Sequence, residues 1–303
     1  IMQIKRKNIL KKYKWLNEKK RPFIISADYD GAICASFLKH YLNWELAGYY
    51  NFNSIWLSKN ALTHKKELIW VDLNILPLSG KSVGGQIVSF DNETPSGFNS
   101  SCNANILAKI SNKNFNNKFP FSTLLFLMWV HNTKIKFNQL GKLLILHSDN
   151  TWMKRQKYSS NVEWWQNILG DFNWDILFSD VDSRDYEFQI DQYLYPKLKY
   201  IDAISGYSKL KSKYTKIQSR ESKFNPDWDA DIIFNLFDLF AKNLDWTPPE
   251  LPDIVQRVEG KRFKLPISHI SSLGLNRFLK VNKVFSYAIT SPTDFNYTNF
   301  KLL

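Results

Sequence analysis

Carboxylates close the apolar runs of this sequence. Phe23-Ile24-Ile25-Ser26-Ala27 stops on Asp28-Tyr29-Asp30-Gly31, Leu68 to Val71 stops on Asp72, and Gln86 to Phe90 stops on Asp91-Asn92-Glu93. Leu143 to Leu146 runs through His147 and Ser148 to Asp149. Brought to one place, these side chains would repel one another and raise their own pKa values, so such a cluster holds cations or shares protons. Asp28, Asp30, Asp72, Asp91 and Asp149 would suit one or two hard ions such as Mn2+ or Mg2+, which prefer oxygen ligands. The chemistry open to such a centre is to position a hydroxide and neutralise charge on a transferring phosphorus. A single aspartate in such a position is more often a turn former or a helix N-cap. The recurrence is what points to a site.

Positioning these groups together requires a particular set of elements. Each short, continuous apolar run reads as a strand covered on both faces. If the strands are parallel neighbours, their carboxyl ends share the edge where open α/β sheets place ligands. After Gly31, the residues Ile33, Cys34, Phe37, Leu38, Tyr41 and Leu42 recur at helical spacing. Leu46 to Asn51 reads as a second strand, Ile55 to Leu62 as a short helix and Pro77 to Gly85 as a loop. Asn92 to Asn117 reads as a long irregular connection that could cover the site, with a short helix near Asn105 to Ile110. Phe121 to Asn132 is apolar throughout and too long for a strand, which predicts a buried helix. His131 near its end reads as structural. His147, two residues before Asp149, would share its face if both were extended, but Asp149 could already lie in the turn.

The ordered set Ser-Ala-Asp-Tyr-Asp-Gly (Ser26–Gly31), Val71-Asp72, Phe90-Asp91-Asn92-Glu93 and Asp149 resembles the motifs of the DHH phosphoesterase superfamily, the RecJ-like nucleases and their relatives. Thr94-Pro95 and Asn103-Ala104-Asn105 are similar to the proline and Asn-Pro-Asn that follow the third motif in RecJ-like members. The resemblance spans about Phe23 to Asn150. It implies metal ligation by Asp28, Asp30, Asp72, Asp91 and Asp149, with Asn103 and Asn105 beside the nucleic acid. Ser26 stands where the family has its first-motif histidine, and Asn92 and Glu93 stand where it has the pair. In the family the first histidine of that pair binds metal and the second faces the phosphate, so Glu93 would offer oxygen in place of nitrogen. The Gly-Gly-Gly-His signature of the family's companion domain has no counterpart here.

The 303 residues carry 41 Lys and Arg against 28 Asp and Glu, a formal charge of +13 that favours a polyanionic partner. The excess is uneven. Lys5, Arg6, Lys7, Lys11, Lys12, Lys14, Lys19, Lys20 and Arg21 are opposed only by Glu18, with Tyr13 and Trp15 among them, a pattern that could track a phosphate backbone and stack on bases. Further basic runs lie at Lys209 to Lys223 and Arg257 to Lys283, while most tryptophans after Trp152 read as core anchors. Two cysteines make neither a disulfide framework nor a metal knuckle. The isoleucine ahead of Met2 reads as an addition, and the absence of a spanning apolar run or a secretion signal predicts a cytoplasmic protein.

The expected architecture is α/β: a basic arm or helix (1–22), a DHH-like domain with a mainly parallel sheet and helices on both faces (23–160), a helical segment (161–247) and a small α+β module (248–303). The expected function is metal-dependent hydrolysis of phosphodiesters in single-stranded nucleic acid or short oligonucleotides. Lys11, Lys12, Lys14, Lys19 and Arg21 would hold the backbone. A protein partner or a second copy of the chain is also open. The competing reading is a catalytically silent relative that binds nucleic acid or protein. A third is a haloacid-dehalogenase-like phosphatase, with Asp28 as nucleophile and Asp30 as general acid, which leaves Asp91-Asn92-Glu93 unexplained.

Overall fold

The computed structural model describes residues 3–300, so the reading of Met2 as the natural start lies outside the described residues. The described strands are β1 (Pro22–Ser26), β2 (Glu45–Tyr50), β3 (Ser54–Ser58), β4 (Ile69–Val71), β5 (Lys81–Gly84) and β6 (Cys102–Asn103). They continue with β7 (Gly206–Lys211), β8 (Gln218–Glu221), β9 (Ile254–Pro266), β10 (Ser286–Ile289) and β11 (Asp294–Phe300). The helices used below are α1 (Arg6–Lys12), α2 (Tyr29–Leu42), α3 (Lys59–Thr63), α4 (Ala104–Leu107), α5 (Thr123–Val130) and α6 (Gln139–His147).

The class is α/β, and the chain threads back and forth between two compact units. One contains Ala27–Asn43 and Pro120–Leu251; the other contains residues 3–26, Trp44–Phe119 and 252–300. These units do not follow the segment boundaries expected after residues 22, 160 and 247. The basic N-terminal segment and the C-terminal strands both belong to the unit that holds β1.

In that unit nine strands form one sheet in the order β10-β11-β9-β3-β2-β1-β4-β5-β6. The ladders from β2 through β1, β4 and β5 to β6 are parallel, and those through β3, β9, β11 and β10 are antiparallel. The expected parallel sheet is therefore the core of a larger mixed one. Every residue of β1 and β4 is buried, which is why both read as unbroken apolar runs. Ile24, Ala47, Tyr50, Ile55, Leu57, Leu68, Trp70 and Val258 share one buried cluster, so strands far apart in sequence close on a single core.

Several local expectations are corrected. Ile55 to Leu62 is not one helix: Ser54–Ser58 pairs with β2 and β9 as a strand, and Ser58 then caps α3 by accepting from the Ala61 amide at 3.2 Å. Pro77 to Gly85 contains β5, whose Lys-Ser-Val-Gly lacks an apolar pattern and is held by its ladder with β4. A Cβ on Gly84 would sit 2.6 Å from the Leu73 carbonyl oxygen, so this close approach requires glycine. Gln86 to Phe90 makes isolated bridges, among them Ile87 to Ile289 and Ser89 to Ser111, and is not a strand of the parallel core.

In the other unit, α5 is buried at every position, as its composition predicts, and its Trp129 indole donates to the Leu169 carbonyl at 3.0 Å. The helix Ala230–Leu244 buries Ile233, Leu236, Phe237, Phe240 and Leu244, the stripe expected of a half-covered helix. Leu143 to Leu146 lies inside α6 and is helical, not extended. Asn138 starts that helix, accepting from the Gly141 amide at 2.8 Å, and a four-residue apolar run alone does not separate the two conformations. β7 and β8 form a separate antiparallel hairpin. Both cysteines are buried free thiols. No described helix is long and apolar enough to cross a membrane.

Candidate metal centre

The parallel pairing of β1 with β4 sets Ile25 opposite Val71, so Ser26 and Asp72 follow as the next residues on adjacent strands. The Ser26 hydroxyl donates to Asp72 Oδ2 at 2.9 Å. The Tyr50 hydroxyl, from the neighbouring β2, donates to the Asp72 carbonyl oxygen. Asp72 adopts φ +62°, a left-handed conformation that an aspartate tolerates better than a branched residue does.

Two residues beyond Ser26, Asp28 is the N-cap of α2 and accepts from the Gly31 amide at 2.9 Å through Oδ1. Asp30 sits in the first helical turn, where negative charge meets the positive end of the helix dipole. Its Oδ1 accepts from the Ser148 hydroxyl at 2.8 Å and the Asp149 amide at 2.5 Å. Tyr29, between the two aspartates, is buried and donates its hydroxyl to the Leu144 carbonyl at 2.8 Å.

The result is a group of three half-buried aspartates. Asp28, Asp30 and Asp72 each place one carboxylate oxygen so that all three lie within 4.8 Å of one another. A cation holding oxygens at roughly 2.1 Å separates opposite ligands by about 4.2 Å, and a larger one at about 2.4 Å by about 4.8 Å. The donor set and spacing could hold a metal ion.

The other expected ligands lie outside this group. Asp149 pairs with Lys154 at 2.6 Å and reaches Asp30 through its backbone amide, at φ +49° in the bend between α6 and the next helix. Asp91 accepts from the Asn112 side chain at 3.1 Å and lies 3.8 Å from the Lys113 ammonium, in a turn closed by reciprocal backbone bonds between Phe90 and Glu93. Glu93 Oε2 accepts from the Asn276 amide at 3.2 Å. The five-carboxylate centre expected from sequence is therefore a three-carboxylate one among the described residues.

Asn103 and Asn105 are fully buried. Asn103 donates to the Asn74 and Gln86 carbonyls at 3.0 and 2.9 Å while capping α4, and Asn105 bridges the Gly85 carbonyl and the Phe119 amide at 2.7 and 2.8 Å. Both hold loops in place through these bonds. In the N-terminal segment, Tyr13 and Trp15 are buried and hydrogen-bonded to the Phe98 and Ser100 carbonyls, so neither is a stacking platform. Lys12 lies 3.3 Å from the Phe98 ring centroid, and Arg21 forms ion pairs with Glu18 and Glu67 at 3.2 Å each. Lys11, Lys14 and Lys19 are exposed.

His147 is buried, with its ring edge-on to Tyr29 at 4.9 Å and Tyr195 at 5.8 Å. Burial lowers its pKa to about 4, so it is neutral at physiological pH and supports the Tyr29 turn from behind. Sequence reasoning passed over Ser26, Tyr50 and Ser148 as supports of the aspartates. Ser26 drew notice only as a replaced histidine, and nothing local in the sequence marks the other two. No family model, curated protein or solved structure matches this chain.

Proposed function

We propose that the protein is a metal-dependent phosphodiester hydrolase acting on single-stranded nucleic acid or short oligonucleotides, a divergent relative of the DHH phosphoesterases. The observation that carries this reading is the Asp28-Asp30-Asp72 group, built on the turn after one parallel strand and the end of its neighbour. These three residues would hold Mn2+ or Mg2+, which when bound supplies a polarised water and charge neutralisation at the phosphorus. The remaining work falls to the chain itself. Ser26 keeps the Asp72 carboxylate turned toward the group, and Ser148 with the Asp149 amide does the same for Asp30.

A silent, binding-only relative is the second reading. It is favoured by the commitment of Asp149 to Lys154 and of Glu93 to Asn276, which thins the ligand set that the family resemblance implies. Cleavage of a short oligonucleotide in Mn2+ decides between them. The hydrolase reading expects turnover that a chelator stops and that Asp28→Asn lowers by at least about a hundredfold, roughly 3 kcal/mol of barrier. No cleavage by a folded protein that binds Mn2+ would establish the silent relative.

A further inference from the structure

We propose that the β7–β8 hairpin is where a single-stranded nucleic acid is held, with Arg220 as its phosphate contact and Tyr207 as a base platform. This rests on the nucleic-acid part of the reading above and not on hydrolysis. Tyr207 and Arg220 are register partners across the two strands. The Arg220 guanidinium carbon lies 4.4 Å from the Tyr207 ring centroid and 4.9 Å from that of Tyr195, and Nη1 donates to the Gln218 carbonyl at 3.1 Å. The planar fork is thus held before any ligand arrives, which suits bidentate recognition of phosphate.

The surroundings favour an anionic, aromatic occupant. Tyr207 is 59% exposed, whereas Tyr13 and Trp15 of the N-terminal basic segment are buried. Lys209 and Lys211 are exposed on the same strand as Tyr207. Near the hairpin, Asp182 pairs with Lys213 at 3.0 Å, Glu221 pairs with Lys223 at 3.0 Å, and Glu187 accepts from the Ser212 hydroxyl and the Tyr214 and Thr215 amides, while Lys209, Lys211 and Arg220 have no carboxylate within ion-pair distance among the described residues. An exposed ring beside three uncompensated cations is how sequence-tolerant single-strand binding combines stacking with charge.

The hairpin also leads to the metal-centre turn. The Tyr29 amide donates to the Ser222 carbonyl at 2.8 Å, the Phe224 amide donates to the Ala27 carbonyl at 3.1 Å, and Lys223 bridges to Asp28. Arg220 is three residues upstream of Lys223, about 10 Å along an extended chain. One short strand could therefore touch Arg220 and end at Asp28.

The test is fluorescence anisotropy with a labelled single-stranded oligothymidylate over a salt series, with chelator present so that the aspartates play no part. Lys209→Gln with Lys211→Gln, both exposed and harmless to the fold, and Arg220→Gln added to that pair, are compared with the wild type. Removing three contacts should lower affinity at least tenfold and flatten the log-affinity against log-salt slope by about 2, since each phosphate contact to a single strand contributes about 0.7. Arg220→Lys should keep the slope and lose affinity. An unchanged slope in both the double and the triple variant, or no binding by the wild type, overturns the proposal. Binding that behaves as proposed in a protein that never cleaves would leave the hairpin assignment standing and remove the hydrolase.

Discussion

Three aspartates carry the site, and each is held by a different local device. Asp28 caps a helix, Asp30 receives a serine hydroxyl and a backbone amide, and Asp72 receives the Ser26 hydroxyl. Such partners orient ligands before a cation binds and so reduce what binding must fix. Behind them, His147 has a testable energetic signature. The unfolded chain binds a proton at this histidine near pH 6.5, while the native protein excludes it until about pH 4. The His147 contribution to native stability therefore falls as pH drops from about 6.5 to 4, by roughly 3 kcal/mol in all, and is constant below that window. His147→Phe keeps an aromatic ring against Tyr29 and removes the proton, so the difference between variant and wild-type stability should grow across this window. Parallel denaturation curves at each pH, with a constant difference, would show that His147 does not titrate this way.

At the scale of elements, the N-terminal segment changes meaning between sequence and structure. Its lysines suggest an arm for nucleic acid, yet Ile9, Tyr13, Trp15 and Leu16 are buried and α1 with the following turn (14–17) is part of the folded unit. Trp15→Ala should cost about 3 to 5 kcal/mol in urea denaturation, the range of a buried aromatic truncation. A cost under about 1 kcal/mol would mean that the ring is dispensable to the fold and free for a ligand. The elements legible in the sequence were those whose burial is uniform or strictly periodic: β1, β2, β4, α2, α5 and the helix Ala230–Leu244. Those that were not legible owe their conformation to partners. β5 is a strand because β4 lies beside it, β3 because β2 and β9 flank it, and Leu143 to Leu146 is helical because Asn138 initiates it. The site followed the same division. Asp28, Asp30 and Asp72 stand at the ends of elements the sequence announced, whereas Asp91 and Asp149 were placed by runs that are not strands of the sheet.

Taken as a whole, the molecule combines a parallel sheet core, an acidic group that follows strands β1 and β4, and a formal net charge of +13. Three carboxylates whose oxygens lie within 4.8 Å of one another would be stabilised by a cation there, since an ion that binds only the native state raises its melting point by mass action. The central claim is that Asp28, Asp30 and Asp72, and not Asp91, form that centre. The most direct measurement is calorimetric titration of Mn2+ into the wild type and into Asp28→Asn, Asp72→Asn and Asp91→Asn. The account predicts saturable binding by the wild type, at least tenfold weaker binding for Asp28→Asn and Asp72→Asn, and wild-type affinity for Asp91→Asn. No binding in the millimolar range, or an Asp91→Asn loss equal to that of Asp28→Asn, would contradict it.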